Sequence, residues 1–257
     1  DKAVVLAKWF REIMAKNNFP VERMEYVPPA ISYLDEPVRP LPSLQFNHKD
    51  SIKLIFVGRI DPIKDLQLLL RAFNDLPEDK IELSIYGKPL DPSYYDQCRK
   101  LAEENENVHW RGTFAREELM TIFRQHDMLC LPSALSEMSP LVIQEAFGAR
   151  IPVLASGVLG NEELINHNQN GLLFSFKSQE GLFQQLRRLI DEPKLLMSLK
   201  NGVVLPLPFE EVVRKYLEIY NFEVRRENQN EPVRLRPETA EEINDYSRYI
   251  ESISSHE

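Results

Sequence analysis

The chain has 257 residues, 43% of them hydrophobic, which is enough apolar material for one substantial core with attachments. Its 31 Lys and Arg stand against 40 Asp and Glu with no clustered basic face, so nucleic acid is excluded as an expected partner. No apolar run approaches the ~20 residues that span a bilayer, and the opening Asp1-Lys2-Ala3-Val4-Val5 lacks a signal-peptide pattern; the expected location is the cytoplasm.

At the start of the chain, Val4 to Ala7 reads as a strand and residues 9–17 as a helix, a βα unit that looks like the end of something longer upstream. The chain opens without Met, which fits processing or an excised piece, and the expectation is a fragment. Pro28, Pro29, Pro37, Pro40 and Pro42 then punctuate a connection, so residues 1–50 are read as the end of an upstream domain plus a linker.

From residue 51 short β-branched runs alternate with amphipathic stretches. Strands are expected at 52–57, 81–86, 108–111, 128–131, 152–155 and 172–174. Helices are expected at 66–73, 92–104, 116–124, 141–148, 179–190 and 207–221. Repeated βα units imply an α/β fold, a Rossmann-like, doubly wound parallel sheet with helices on both faces, here over residues 51–222. The polar segment 221–239 reads as a linker leading to a last helix at 240–253, so residues 223–257 form a C-terminal helical tail.

Ligands of an open parallel sheet settle beyond the carboxyl ends of its strands, so the residues that follow each strand are the candidates. After the first strand of this unit stands Gly58-Arg59-Ile60-Asp61-Pro62-Ile63-Lys64, in which a glycine permits close approach and two cations, Arg59 and Lys64, can neutralise a diphosphate. After the 128–131 strand stands Ser136-Glu137-Met138-Ser139-Pro140-Leu141-Val142-Ile143-Gln144-Glu145-Ala146, with Pro140 expected as the first helical residue. The free amides of that first turn would attract phosphate, with Glu137 on one side and Glu145 on the other. Taken alone, the same residues also fit a solvated Arg, a Lys at a helix start and two ordinary glutamates, one acting on the helix dipole. The two cysteines, Cys98 and Cys130, and the five histidines show no metal-ligand spacing. There is no Asp-x-Asp, no Gly-x-Gly-x-x-Gly and no P-loop.

The order of these motifs resembles the C-terminal half of family 4 glycosyltransferases of the two-Rossmann GT-B type, over about residues 3–220. The family's Gly-Arg-x4-Lys stands as Gly58, Arg59 and Lys64, and its Glu-x7-Glu-Ala as Glu137, Glu145 and Ala146. Pro152-Val153 follows, then Gly160, Glu163 and Ile165, and then Asn170-Gly171-Leu172-Leu173. Two departures stand out: Arg150 occupies a position before Pro-Val where the family usually carries glycine, which bears on helix packing, and Pro29-Ala30 replaces an expected Asn-Gly.

The resemblance implies a nucleotide-sugar-binding domain at 51–222 and a retaining, metal-independent hexosyl transfer to a glycan or lipid-linked acceptor. Arg59 and Lys64 would hold the diphosphate and stabilise the leaving nucleotide, and Glu137 would touch the donor sugar, making these three the candidate catalytic residues. Glu145 would bind the ribose, and the amides of Ser139, Leu141 and Val142 would cradle phosphate. Gly87 and Thr113 are candidates for the nucleobase by position. No cofactor is implied; the donor substrate is a UDP- or GDP-sugar. The intact protein would add an acceptor-binding N-terminal domain and associate peripherally with the cytoplasmic face of a membrane. Two other classes stay open: a non-catalytic nucleotide-sugar-binding or scaffolding module, and an enzyme resembling a nucleotide-sugar epimerase.

Overall fold

The computed structural model describes residues 2–31, 51–77 and 80–220, together with the backbone of 223–225 and 234–236. The first elements are β1 (Ala3–Val5), α1 (Lys8–Lys16) and β2 (Met24–Tyr26), with β1 and β2 parallel in a small sheet of their own. The main body then runs β3 (Ile52–Val57), α2 (Leu66–Asn74), β4 (Ile81–Tyr86), α3 (Pro92–Leu101), β5 (Val108–Gly112), α4 (Leu119–Arg124), β6 (Met128–Leu131), α5 (Leu141–Gly148), β7 (Val153–Gly157), α6 (Leu159–Leu164), β8 (Gly171–Ser175), α7 (Gln179–Asp191), α8 (Leu195–Asn201) and α9 (Phe209–Ile219).

The six strands from β3 to β8 form one parallel sheet in the order β5-β4-β3-β6-β7-β8. The chain moves outward from β3 to β5, then returns to the other flank of β3 and moves outward again from β6 to β8. The winding therefore reverses between β3 and β6, and the carboxyl ends of those two strands are where an open parallel sheet takes its ligands.

Strand alternation divides the core between two faces. Leu54, Phe56, Met128, Cys130 and Leu154 pack with the apolar faces of α2, α3, α7 and α8. Ile55, Leu129, Leu131, Val153 and Ala155 pack with α4 and α5. The strands read as continuous apolar runs because both of their faces are covered. Cys98 and Cys130 are free thiols inside this core, and burial pushes the Cys98 thiol up to about 11. At the amino ends of the strands, Lys200 of α8 reaches Asp127 Oδ1 at 2.6 Å while the other carboxylate oxygen accepts from Lys53 N at 2.9 Å, which ties α8 to the start of β6.

Several boundaries differ from the sequence-based expectation. The helix expected at 92–104 ends at Leu101, and the one at 116–124 opens as a 3-10 turn over Arg116–Glu118. Pro140 caps α5 rather than starting it: its ψ of 115° is extended, its carbonyl accepts from Ile143 N, and the helix begins at Leu141. β2, α6 and α8 were not expected. In the polar segment expected to be a linker, β9 (Glu223–Arg225) pairs antiparallel with β10 (Arg234–Arg236); strands of three residues are too short to show a period. The expected helix at 240–253 lies outside the described residues. Among the described residues no helix is long and apolar enough to cross a membrane.

Candidate functional site

The loops that leave β3 and β6 meet at the reversal of winding. Ala134 N donates to Ile63 O at 2.8 Å, joining the two segments by their backbones. Below that bond Lys64 Nζ donates to Glu137 Oε1, and the two side chains are only 16% and 21% exposed. The chain thus places the cation of one motif against the carboxylate of the other, although 73 residues separate them. Ser133 Oγ donates to the same oxygen of Glu137 at 3.1 Å.

Asp61 sets the Lys64 end. Its carboxylate accepts from Lys64 N at 3.1 Å and lies 3.3 Å from Arg59 Nε, so a single largely buried carboxylate orders the turn between both cations. Arg59 itself is more than half exposed and does not join the Lys64–Glu137 pair. Asp61 and Ser133 were not among the candidate residues. An Asp accepting from an amide three residues on is a recurrent turn pattern, which was the available signal for Asp61; nothing in the sequence distinguishes Ser133.

Beneath the loop the polar groups continue inward. Ser156 Oγ donates to Ser133 O at 2.9 Å, and Asn161 Nδ2 donates to Ser156 O at 3.0 Å, with all three residues fully buried. These bonds satisfy backbone carbonyls where β6 and β7 end, so the loop that carries Glu137 rests on a fixed floor.

Beyond Glu137 the chain turns at Pro140 into α5, whose first-turn amides, including those of Leu141 and Val142, have no partner within the helix. Ser139 precedes the cap. Glu145, further along α5, is half-buried and outside the hydrogen bonds of Lys64 and Glu137. Burial raises its carboxyl above the ordinary range, and the positive charge of Arg116 opposes that rise.

The glycines divide by role. A Cβ at Gly87 would stand 1.8 Å from Gly58 O, so glycine there is what lets the ends of β4 and β3 come together. A Cβ at Gly58 would meet nothing closer than 3.8 Å, which leaves space over that peptide. Gly160, at the start of α6, abuts the Glu137 carbonyl, with a Cβ there only 2.0 Å from it. Thr113 is exposed just beyond Gly112, whose φ of 72° accompanies the shift of register between β4 and β5. Nearby, Tyr86 packs edge-on against Phe114 at 5.4 Å.

The loops and helix that follow β3 and β6 thus carry cations, helix amides and carboxylates of graded burial, the kinds of group that meet an anionic, hydroxyl-rich ligand. The architecture matches Anabaena HepE, solved in complex with UDP and glucose, with a TM-score of 0.72 at 16% identity over 86% of this chain and 62% of that one. Glycosyltransferase 1 domain-containing protein 1 of Xenopus tropicalis is 31% identical over 118 residues, covering 46% of this chain and 33% of its own length. D-inositol 3-phosphate glycosyltransferase of Corynebacterium glutamicum is 30% identical over 145 residues, covering 53% of this chain and 34% of its own. The chain thus spans about a third of the length of these curated relatives. The family model for glycosyl transferases group 1 matches residues 43–203, which include both motif loops and the whole six-stranded sheet, and the chain belongs to that family.

Proposed function

We propose that this chain supplies the donor half of a retaining, metal-independent glycosyltransferase that moves a hexosyl group from a UDP- or GDP-sugar to a glycan or lipid-linked acceptor. The observation that carries the reading is the Lys64–Glu137 ion pair bridging the carboxyl ends of β3 and β6 at the reversal of winding. A cation and a carboxylate held together at that point support the reading, since a diphosphate and the sugar it carries call for both.

In this reading the diphosphate accepts from Lys64 and Arg59 and from the amides of Ser139, Leu141 and Val142. Glu145 accepts the ribose hydroxyls and Glu137 a hydroxyl of the sugar. As the bond from the anomeric carbon to the phosphate oxygen breaks, charge grows on the departing nucleotide, and fixed cations beside it lower the barrier. The acceptor oxygen takes the vacated place on the same face of the sugar, and its hydroxyl proton passes to the departing phosphate oxygen. A neighbouring fold solved with UDP and glucose makes UDP the first nucleotide to try. The nucleobase falls near Gly87 and Thr113. An acceptor-binding N-terminal domain in the longer protein, working at the cytoplasmic face of a membrane, completes the proposal.

The test is calorimetric titration of the chain with UDP, GDP, ADP and their sugar conjugates, in magnesium and in EDTA, with Arg59→Ala and Glu145→Ala alongside. The expected result is metal-independent binding weakened at least about tenfold in each variant, as loss of a charged hydrogen bond implies. Binding to none of the nucleotides would refute the donor reading and favour a scaffolding module.

A further inference from the structure

Helix α1 begins without a cap of its own, since Ala7 has no side-chain acceptor. Its first amides are held from another element: Lys8 N and Trp9 N each donate at 3.0 Å to one of the two carboxylate oxygens of Glu163, the closing turn of α6. The carboxylate thereby satisfies two of the orphan donors of the helix and sits at the positive end of its dipole.

The same helix reaches the donor loop directly. Trp9 Nε1 donates to Met138 O at 3.0 Å, at the residue after Glu137. The same stretch is also met by α6, whose Gly160 lies so close that a Cβ would be 2.0 Å from Glu137 O and 2.8 Å from Met138 O. The backbone of Glu137 and Met138 is therefore contacted by both the indole of α1 and the backbone of α6, while Lys64 and Ser133 hold the Glu137 side chain. Trp9 stands well before residues 43–203, the part matched by the family model.

We propose that Trp9 is a positioning residue for Glu137, and that the unit formed by β1, α1 and β2 is through it a working part of the sugar subsite. The inference rests on the donor reading, because it gains its meaning from Glu137 touching the sugar. Its signature is selective. Of the proposed nucleotide contacts, Lys64, Arg59, Glu145 and the amides of Leu141 and Val142 lie outside the Trp9 hydrogen bond, and only the Ser139 amide shares a peptide with the carbonyl that Trp9 holds, so loosening that carbonyl changes how the sugar is held more than how the nucleotide is held.

The experiment compares dissociation constants for UDP and UDP-glucose, and for GDP and GDP-mannose, in the wild type, Trp9→Phe, Glu163→Gln and Glu137→Gln. Thermal unfolding of each variant is measured in parallel. Trp9→Phe keeps an aromatic ring but removes the indole N–H together with the five-membered half of the ring system, a packing loss that the unfolding data report. It is expected to leave the nucleotide constant within about twofold and to shift the ratio of sugar-nucleotide to nucleotide constants by about threefold to tenfold, the worth of one net hydrogen bond, in the direction of Glu137→Gln. Glu163→Gln, which releases the start of α1, is expected to move the ratio the same way and decides the matter should Trp9→Phe fold poorly. A ratio that moves in Glu137→Gln and in neither of the other two overturns the inference and spares the donor reading. No binding by the wild type, or a ratio that Glu137→Gln leaves unmoved, fails the donor reading first and the inference with it.

Discussion

Arg150 offers a clean test of a single backbone feature. It follows the C-terminus of α5 with φ at 61°, the left-handed region, and its amide donates to Phe147 O while that of Ile151 donates to Ala146 O. Those two bonds are the Schellman closure of a helix, whose left-handed residue is most often glycine. The resemblance expected glycine here for helix packing, whereas the structure gives the reason as φ. A side chain with a Cβ in that region costs about 1–2 kcal/mol, and glycine returns about 0.5–1 kcal/mol of this through the extra freedom of its unfolded chain. Arg150→Gly should therefore stabilise by about 0.5–1 kcal/mol, which for a domain of this size raises Tm by about 1–4 °C. Calorimetric unfolding of Arg150→Gly, Arg150→Asn and Arg150→Ala separates backbone from side chain. The expected order is Gly above Asn, with Ala close to the wild type because it keeps the Cβ. A gain in Ala equal to that in Gly would show that the arginine side chain, and not the turn, carries the strain.

Three further outcomes are expected. Gly160→Ala drives a Cβ into the Glu137 carbonyl, so α6 or the loop must move; the cost should be about 1–3 kcal/mol in denaturant unfolding, accompanied by weaker sugar-nucleotide binding. Lys200→Met leaves the partly buried Asp127 with the Lys53 amide but without its cation and should destabilise by about 1.5–3 kcal/mol, read from the urea midpoint at constant slope. Burial raises the Glu145 carboxyl, so the folded chain binds that proton more tightly than the unfolded one. Its contribution to stability is present at low pH and is lost as pH rises through the raised value. A ribose accepted by the carboxylate favours the ionised form, so affinity for a sugar nucleotide, whose phosphates do not titrate in this range, should rise with pH over the same window, and Glu145→Gln should flatten both profiles.

The sheet was legible because strands covered on both faces are apolar throughout, as in Leu54, Ile55 and Phe56, while their helices keep a polar side. What was hidden was short or depended on contact. The residues of α6 include Gly160, Asn161, Glu162 and Glu163 and look like a loop, yet packing against the Glu137 carbonyl makes them helical where no local period announces it. Gly87 looked like a ligand contact by position; a collision with Gly58 O accounts for it on packing grounds, and such a reason becomes visible only when two strand ends are in place.

The candidate charges show the same division between kind and arrangement. Residue types and order marked Arg59, Lys64, Glu137 and Glu145, because a polyanion calls for cations and a sugar for carboxylates. Nothing in a linear pattern says that Lys64 and Glu137 hold one another, since each could as well face solvent. A partly buried cation left without a carboxylate would pay desolvation unrelieved, so the fold keeps the pair closed and steadies it with Ser133. In the donor reading proposed above, a diphosphate arriving beside Lys64 would bring replacement negative charge and free lone pairs of Glu137 for a neighbouring hydroxyl. That exchange would require the carboxylate to stay in place as its partner turns away, a demand met by a short loop that is tied to Ser156, abutted by Gly160 and held by Trp9.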